Sequence, residues 1–397
     1  MPSIRARLAA AAIGWKYSDR KHASEQGILD GVRDSWARET SDEVVPTSAE
    51  ERFASKGSDE KWQVFHIRPR TEPVQVGKVV VYFHGDTSPR RLETNAPFLR
   101  NRSLYSPSEH LGAPLSDTSL TLSSPPCAQM QDRHWIFIQK LADELKCDVI
   151  VPIYTLAPLA TGTSCIQTCI ELLAHLERDD VRYRGKQFVL CGDSAGGWIA
   201  LRVLLALIER YTGKVTFRDR HDKVHVSDIK LKQPEDFDYK AILDSVSDVL
   251  MISPVVDAND PWLSKNIIDV AGRLWSYGPS LAYPSFDFGV PEERKALPIE
   301  HDEKTGSLPD LDQPAFSPVN GLDILHEYKA CLEKVKFTTF IGTHDILYPQ
   351  NVRMQERLET LGANSDLHVY EGLFHVFPLL PWLPESMDAF EKIRKLF

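Results

Sequence analysis

Short continuous apolar runs alternate along much of this chain with stretches whose apolar positions recur every three or four residues. Lys78-Val79-Val80-Val81-Tyr82-Phe83 reads as a strand buried on both faces, as a central parallel strand requires. Residues 133–146 carry Trp135, Ile138, Leu141, Ala142 and Leu145 at helical spacing, and a second strand follows at residues 148–154. Ser164 is placed to cap a helix striped by Ile166, Cys169, Ile170, Leu173 and Leu176. A strand at Phe188–Cys191 runs into a helix whose Val203–Ile208 stretch is apolar nearly all round. Further strands are predicted at Val249–Ile252, Phe337–Ile341 and Leu367–Tyr370. A helix from about 350 to Leu361, ended by Gly362, lies between the last two, and a closing helix is marked by Met387, Phe390, Ile393 and Leu396. Strand and helix alternating in this way predict an α/β architecture with a doubly wound, mostly parallel sheet.

Three regions break the rhythm. Residues 1–58 read as helical and polar, before a first β signal at Trp62–Ile67. Residues 86–131, rich in Ser, Pro and Leu without a period, separate a strand from its helix by far more than a usual connection, as a lid would. Residues 258–315 hold Trp262, Trp275, Tyr277, Tyr283, Phe286 and Phe288. The expected organisation is an N-terminal cap segment at 1–58, a core at 59–257, a cap insertion at 258–315, and the rest of the core at 316–397. Both cap segments would cover the C-terminal edge of the sheet, where sites in open α/β sheets lie. Trp275 and Tyr277 are candidate pocket-lining residues, although such aromatics equally well pack a cap onto its body.

Charge narrows the partners. A formal net charge of -10 over 397 residues argues against nucleic acid or an anionic membrane, and the mixed-sign stretch from Arg218 to Lys232 reads as a solvated loop. The six cysteines (127, 147, 165, 169, 191 and 331) show no metal-ligand spacing and read as reduced, buried thiols. The apolar Leu8–Ile13 patch behind Arg5 and Arg7 is short for a secretory core and suits an amphipathic helix packed on the body. No run of 18 apolar residues is present, so no membrane span is expected, and a cytoplasmic location follows as an expectation.

Candidate chemistry centres on Gly192-Asp193-Ser194-Ala195-Gly196, a G-x-S-x-G turn between a strand and a helix. Such a turn exposes a serine hydroxyl above the sheet, where a histidine can take its proton and the oxygen can attack an acyl carbon. In this architecture the acid and the base follow the serine in that order, on loops after later strands. Asp345 stands after the strand ending at Ile341, with Asp257 and Asp366 as rivals. His375, after the last strand, lies between Phe374 and Val376, apolar neighbours that would exclude water. Oxyanion donors are expected from the Ala195 N–H, at the start of the helix, and from the Gly85 and Asp86 amides after the first parallel strand. His84 reads as a loop-shaping residue, and Phe374 as a third candidate substrate contact beside Trp275 and Tyr277.

Taken in order, His84-Gly85, Gly192-Asp193-Ser194-Ala195-Gly196-Gly197, Ser253-Pro254-Val255-Val256-Asp257, Gly342-Thr343-His344-Asp345 and His375-Val376-Phe377 resemble the hormone-sensitive-lipase-like esterase group of α/β hydrolases. The similarity spans roughly residues 62–397, and Tyr154-Thr155-Leu156-Ala157-Pro158 is similar to that group's Tyr-Arg-Leu-Ala-Pro segment. The resemblance implies a capped α/β-hydrolase fold with a sheet of about eight strands, and carboxylic ester hydrolysis with no cofactor and no metal. Two departures stand out. Asp86 occupies a position where another glycine is usual, and Thr155 and Leu159 replace the segment's arginine and glutamate, as a specialised member would show.

The expectation is therefore a serine esterase acting through Ser194, His375 and Asp345 on a small-molecule ester of medium size, apolar or aromatic. An acyltransferase or arylformamidase-like amide hydrolase would use the same residues, and a non-hydrolytic binding or isomerising protein would use the same scaffold. Oligomeric state is open at this stage, a homodimer included.

Overall fold

The computed structural model describes residues 2–6, 26, 29, 49–56, 60–70, 77–85, 132–154, 162–229, 237–260 and 310–397. Among them, eight strands form one sheet in the order β1-β2-β4-β3-β5-β8-β9-β10. The strands of this sheet are β1 Ala49–Lys56, β2 Glu60–Ile67, β3 Lys78–Phe83, β4 Val149–Ile153, β5 Gln187–Asp193, β8 Val246–Ile252, β9 Lys336–Gly342 and β10 Asn364–Tyr370. From β4 to β10 all neighbours run parallel, whereas β1, β2 and β4 pair antiparallel. The helices are α1 Asp132–Leu145, α2 Gly162–Arg178, α3 Ala195–Thr212, α4 Tyr239–Ser245, α5 Lys329–Lys334, α6 Tyr348–Thr360 and α7 Pro384–Arg394.

Alternation along the central strands divides the core into two layers. Val79, Val81, Phe83, Phe188, Leu190, Val249 and Met251 face one side, where they meet apolar side chains of α2, α3 and α4. Val80, Tyr82, Val189, Cys191, Leu250 and Ile252 face the other, against Trp135, Ile138 and Leu141 of α1 and Phe390 and Ile393 of α7. With both faces covered, the strands can be apolar throughout, which is why their signal in the sequence is strong. In α3, Val203 through Ile208 are all buried, and Gly213 ends the helix at φ 73 with its N–H donating to the Glu209 carbonyl.

Three expectations are corrected. Residues 49–56, read as part of a helical segment, form strand β1 on the antiparallel edge, paired with β2 from Ala49↔Ile67 to Lys56↔Glu60. The stretch from Arg218 holds a hairpin: β6 Lys214–Arg218 pairs antiparallel with β7 Val224–Asp228. Helix α2 begins at Gly162, so Ser164 lies within it, its carbonyl accepting from the Thr168 hydroxyl, and does not cap it. Cys147, Cys165, Cys169, Cys191 and Cys331 are free and buried, and Cys127 lies outside the described residues. Segments 7–25, 86–131 and 261–309 also lie outside them, and with them the Leu8–Ile13 patch, the expected lid and most of the expected cap.

Candidate active site

The C-terminal ends of β3, β5, β8, β9 and β10 converge on Ser194. Its backbone sits at φ 51, ψ -118, a conformation that costs a residue with a Cβ of order 1–3 kcal/mol unless its surroundings hold it. They do: the Ser194 N–H donates to the Ile252 carbonyl at 2.8 Å, and its own carbonyl accepts from the Val255 N–H at 3.2 Å. The flanking glycines are needed for space. A Cβ on Gly192 would lie 2.3 Å from the Gly196 carbonyl, and one on Gly196 would lie 2.0 Å from the Phe83 oxygen.

His375 Nε2 stands 3.0 Å from Ser194 Oγ, and His375 Nδ1 stands 2.9 Å from Asp345 Oδ2. Asp345 is buried, its other oxygen accepting the Leu347 N–H at 3.0 Å. The loops carrying the aspartate and the histidine are laced together. Thr343 N–H donates to the Tyr370 carbonyl, His344 N–H to the Leu373 carbonyl, and Gly372 N–H to the Thr343 hydroxyl. Burial pulls the His375 imidazole down, but the Asp345 carboxylate outweighs this and holds it above the ordinary histidine value, with the Arg133 guanidinium opposing. Neither rival acid reaches it: Asp257 pairs with Arg353 at 2.9 Å, and Asp366 with Lys336 at 2.8 Å.

The position after His375 is strained as well. Val376 has φ 49, unfavourable for a β-branched residue, and its N–H donates to the Ser253 hydroxyl at 3.0 Å. Ser253, itself at φ 47, follows β8 and so fixes the histidine loop to the centre of the sheet.

On the other side of Ser194 the chain leaves β3 through His84 and Gly85. A Cβ on Gly85 would lie 2.3 Å from the Asp193 carbonyl and 2.8 Å from Ser194 Cβ, so only glycine fits against the bend. The Gly85 N–H, expected as an oxyanion donor, instead donates to Asp193 Oδ1 at 2.9 Å. Gly85 is thereby corrected from a donor to a residue that shapes the loop. Asp86 lies outside the described residues, as do Trp275 and Tyr277. Ala195 opens α3, where its N–H has no intrahelical acceptor. The His84 ring stacks on Tyr154 at 4.7 Å between centroids, and burial, with His134 adding to it, pushes its pKa down to about 4. Phe374 is buried and packs with the apolar side chains of the second core layer.

The sequence reading missed Asp193, His134, Tyr82 and Ser253. Asp193 was visible as the residue before the serine, but its partners come from β3 and α1, and no spacing announces them.

A strand-to-helix serine, a histidine and an aspartate on later loops, and a sheet running parallel from β4 to β10 define an α/β hydrolase. A family profile described as alpha/beta hydrolase fold matches residues 127–274. The chain is 22% identical over 273 residues to an esterase of Gibberella moniliformis, covering 66% of this chain and 69% of that protein. Among solved structures it is similar to a hyperthermophilic esterase from Pyrobaculum calidifontis (TM-score 0.55, 16% identity, 100% of this chain and 97% of that one). A thermostable esterase from Pseudomonas putida gives a TM-score of 0.53 at 14% identity, over 100% of this chain and 95% of the other. Among the described residues, no helix is long and apolar enough to cross a membrane, and no cluster of His, Cys, Asp or Glu could hold a metal.

Proposed function

We propose that the protein is a serine esterase that cleaves a carboxylic ester through an acyl-enzyme. The observation that carries this reading is the unbroken relay of 3.0 Å from Ser194 Oγ to His375 Nε2 and 2.9 Å from His375 Nδ1 to Asp345. The esterase names of its relatives agree with it. His375 takes the Ser194 proton as the oxygen attacks the ester carbonyl, and then gives it to the departing alkoxide. A water deprotonated by the same imidazole attacks the acyl-enzyme and releases the acid. Asp345 keeps Nδ1 protonated and stabilises the imidazolium formed in each half-reaction. The tetrahedral oxyanion is held by the Ala195 N–H, with the Asp86 N–H as its partner donor. The aromatic-rich 258–315 segment, with Trp275 and Tyr277, favours an apolar or aromatic ester of medium size.

The test is Ser194→Ala with p-nitrophenyl esters of graded chain length. The variant should keep the wild-type circular dichroism spectrum and lose turnover to background, and the wild type should favour intermediate chains. Undiminished turnover by the variant would remove the mechanism.

A further inference from the structure

One buried charge near the serine has no place in the relay. Asp193 is 0% exposed, immediately precedes Ser194, and is bonded to Gly85, which lies against the Ser194 bend. A carboxylate buried without compensation costs several kcal/mol. Three groups converge on it. The Tyr82 hydroxyl and the Gly85 N–H donate to Oδ1, at 2.5 and 2.9 Å, and His134 Nε2 faces Oδ2 at 3.5 Å, its ring also 0% exposed. Burial pushes the Asp193 carboxyl up, but His134, Tyr82 and the Gly85 N–H outweigh that and hold it well below the ordinary range.

The direction of these bonds matters. Because Asp193 Oδ1 accepts the Gly85 N–H, the loop after β3 is fixed at the residue before the Asp86 amide. Asp193 is in turn contacted at 3.5 Å by His134, from the first turn of α1. A buried polar contact of this kind is weak evidence of a stability role. Its placement, with one end on the oxyanion loop and the other against the serine, is what a positioning device requires.

We propose that His134 is a positioning residue: by contacting the Asp193 carboxylate from the α1 side, it sets the His84-Gly85 turn that lies against the Ser194 bend. It touches no reacting atom and acts through Asp193. This rests on the serine-esterase reading, whose oxyanion is the charge the loop must meet.

The experiment compares wild type with His134→Phe, which fills the space without a donor, and His134→Gln, which restores an N–H near the Nε2 position. Each is assayed for kcat and KM on a p-nitrophenyl ester and for the rate of Ser194 labelling by a fluorophosphonate. Removing an oxyanion donor outright costs about 10²–10³ in kcat, and a displaced loop should cost about ten- to a hundredfold. The expected result is that His134→Phe loses this in kcat with KM nearly unchanged, labels Ser194 correspondingly slowly, and folds normally. His134→Gln should recover most of the loss.

Wild-type kcat in His134→Phe overturns the inference, as does an equal loss in both variants or a loss carried by KM, since packing alone would then explain the ring. If His134→Phe does not fold, His134→Asn, whose shorter amide falls short of Asp193, replaces it with the same outcomes. Wild-type protein that neither labels nor turns over ester removes the esterase reading and this inference together. Wild type that does both, matched by His134→Phe, removes this inference alone.

Discussion

Replacing Asp345 by Asn isolates the charge behind the imidazole. The shape is preserved, and the amide oxygen can still accept the Leu347 N–H that Asp345 Oδ1 accepts at 3.0 Å. What disappears is a carboxylate 2.9 Å from His375 Nδ1, with a side chain 0% exposed and the imidazole's 27% exposed, so solvent screens little of the interaction. Two unit charges about 4 Å apart at an effective dielectric of about 20 interact by about 4 kcal/mol. At about 1.4 kcal/mol per decade, losing that stabilisation of the imidazolium slows turnover about a thousandfold. An amide N–H turned toward Nδ1 would also favour the tautomer that protonates Nε2, which cannot take the serine proton, and this brings the expected loss to about 10³–10⁴ in kcat. KM should change little, because Asp345 does not touch the ester. The pH profile gives a second readout. In the proposed mechanism His375 acts as a base only when neutral, so activity should rise with pH through its pKa, which in the wild type lies above the ordinary histidine value. Without the carboxylate, burial is left to dominate, and the acid limb of the residual activity should move to lower pH. The assay is steady-state hydrolysis from pH 5 to 9, with circular dichroism to confirm folding. A folded variant with less than a tenfold loss, or an equal loss in Asp257→Asn or Asp366→Asn, would refute the assignment.

Two further outcomes follow from the geometry. Gly85→Ala should cost at least about a hundredfold in turnover with secondary structure retained, because its Cβ would lie 2.3 Å from the Asp193 carbonyl and displace the loop beside the serine; full activity in the purified variant would show that the loop tolerates the shift. Ser253→Ala should lower stability by about 1–3 kcal/mol in urea unfolding, since the buried Val376 N–H loses its acceptor, and should also lower kcat; an unchanged midpoint would mean that water or a relaxed loop replaces the hydroxyl.

What the sequence made readable was set by burial. Strands β3, β5, β8 and β9 are covered on both faces, so each appears as an apolar run bounded by polar residues, and the loops after them could be searched for a serine, an acid and a base. Strand β1 reads Ala-Glu-Glu-Arg-Phe-Ala-Ser-Lys, the charged composition of a sheet edge that discourages further pairing, and such a strand resembles polar helix or loop in a linear reading. The β6–β7 hairpin hid for a related reason, as its exposed Val224 and Val226 sit among charges. The Gly85 donor failed on different grounds. The turn chemistry at Gly85 was legible, but the acceptor of its N–H depends on the Asp193 rotamer, and that depends on Tyr82 and His134, side chains from other elements that no local pattern connects.

Ser194 is held in its unfavourable backbone state by Ile252, the last residue of the strand that pairs with its own, and by Val255 in the turn just after it. The bend therefore cannot persist in a chain whose β5 and β8 have yet to meet, and the imidazole arrives from a residue 181 positions away. A partly assembled molecule carries an ordinary, unreactive alcohol. During refolding, chemical competence should return only after far-ultraviolet signals have recovered, so a nascent or damaged chain is silent toward the esters around it until its topology is complete.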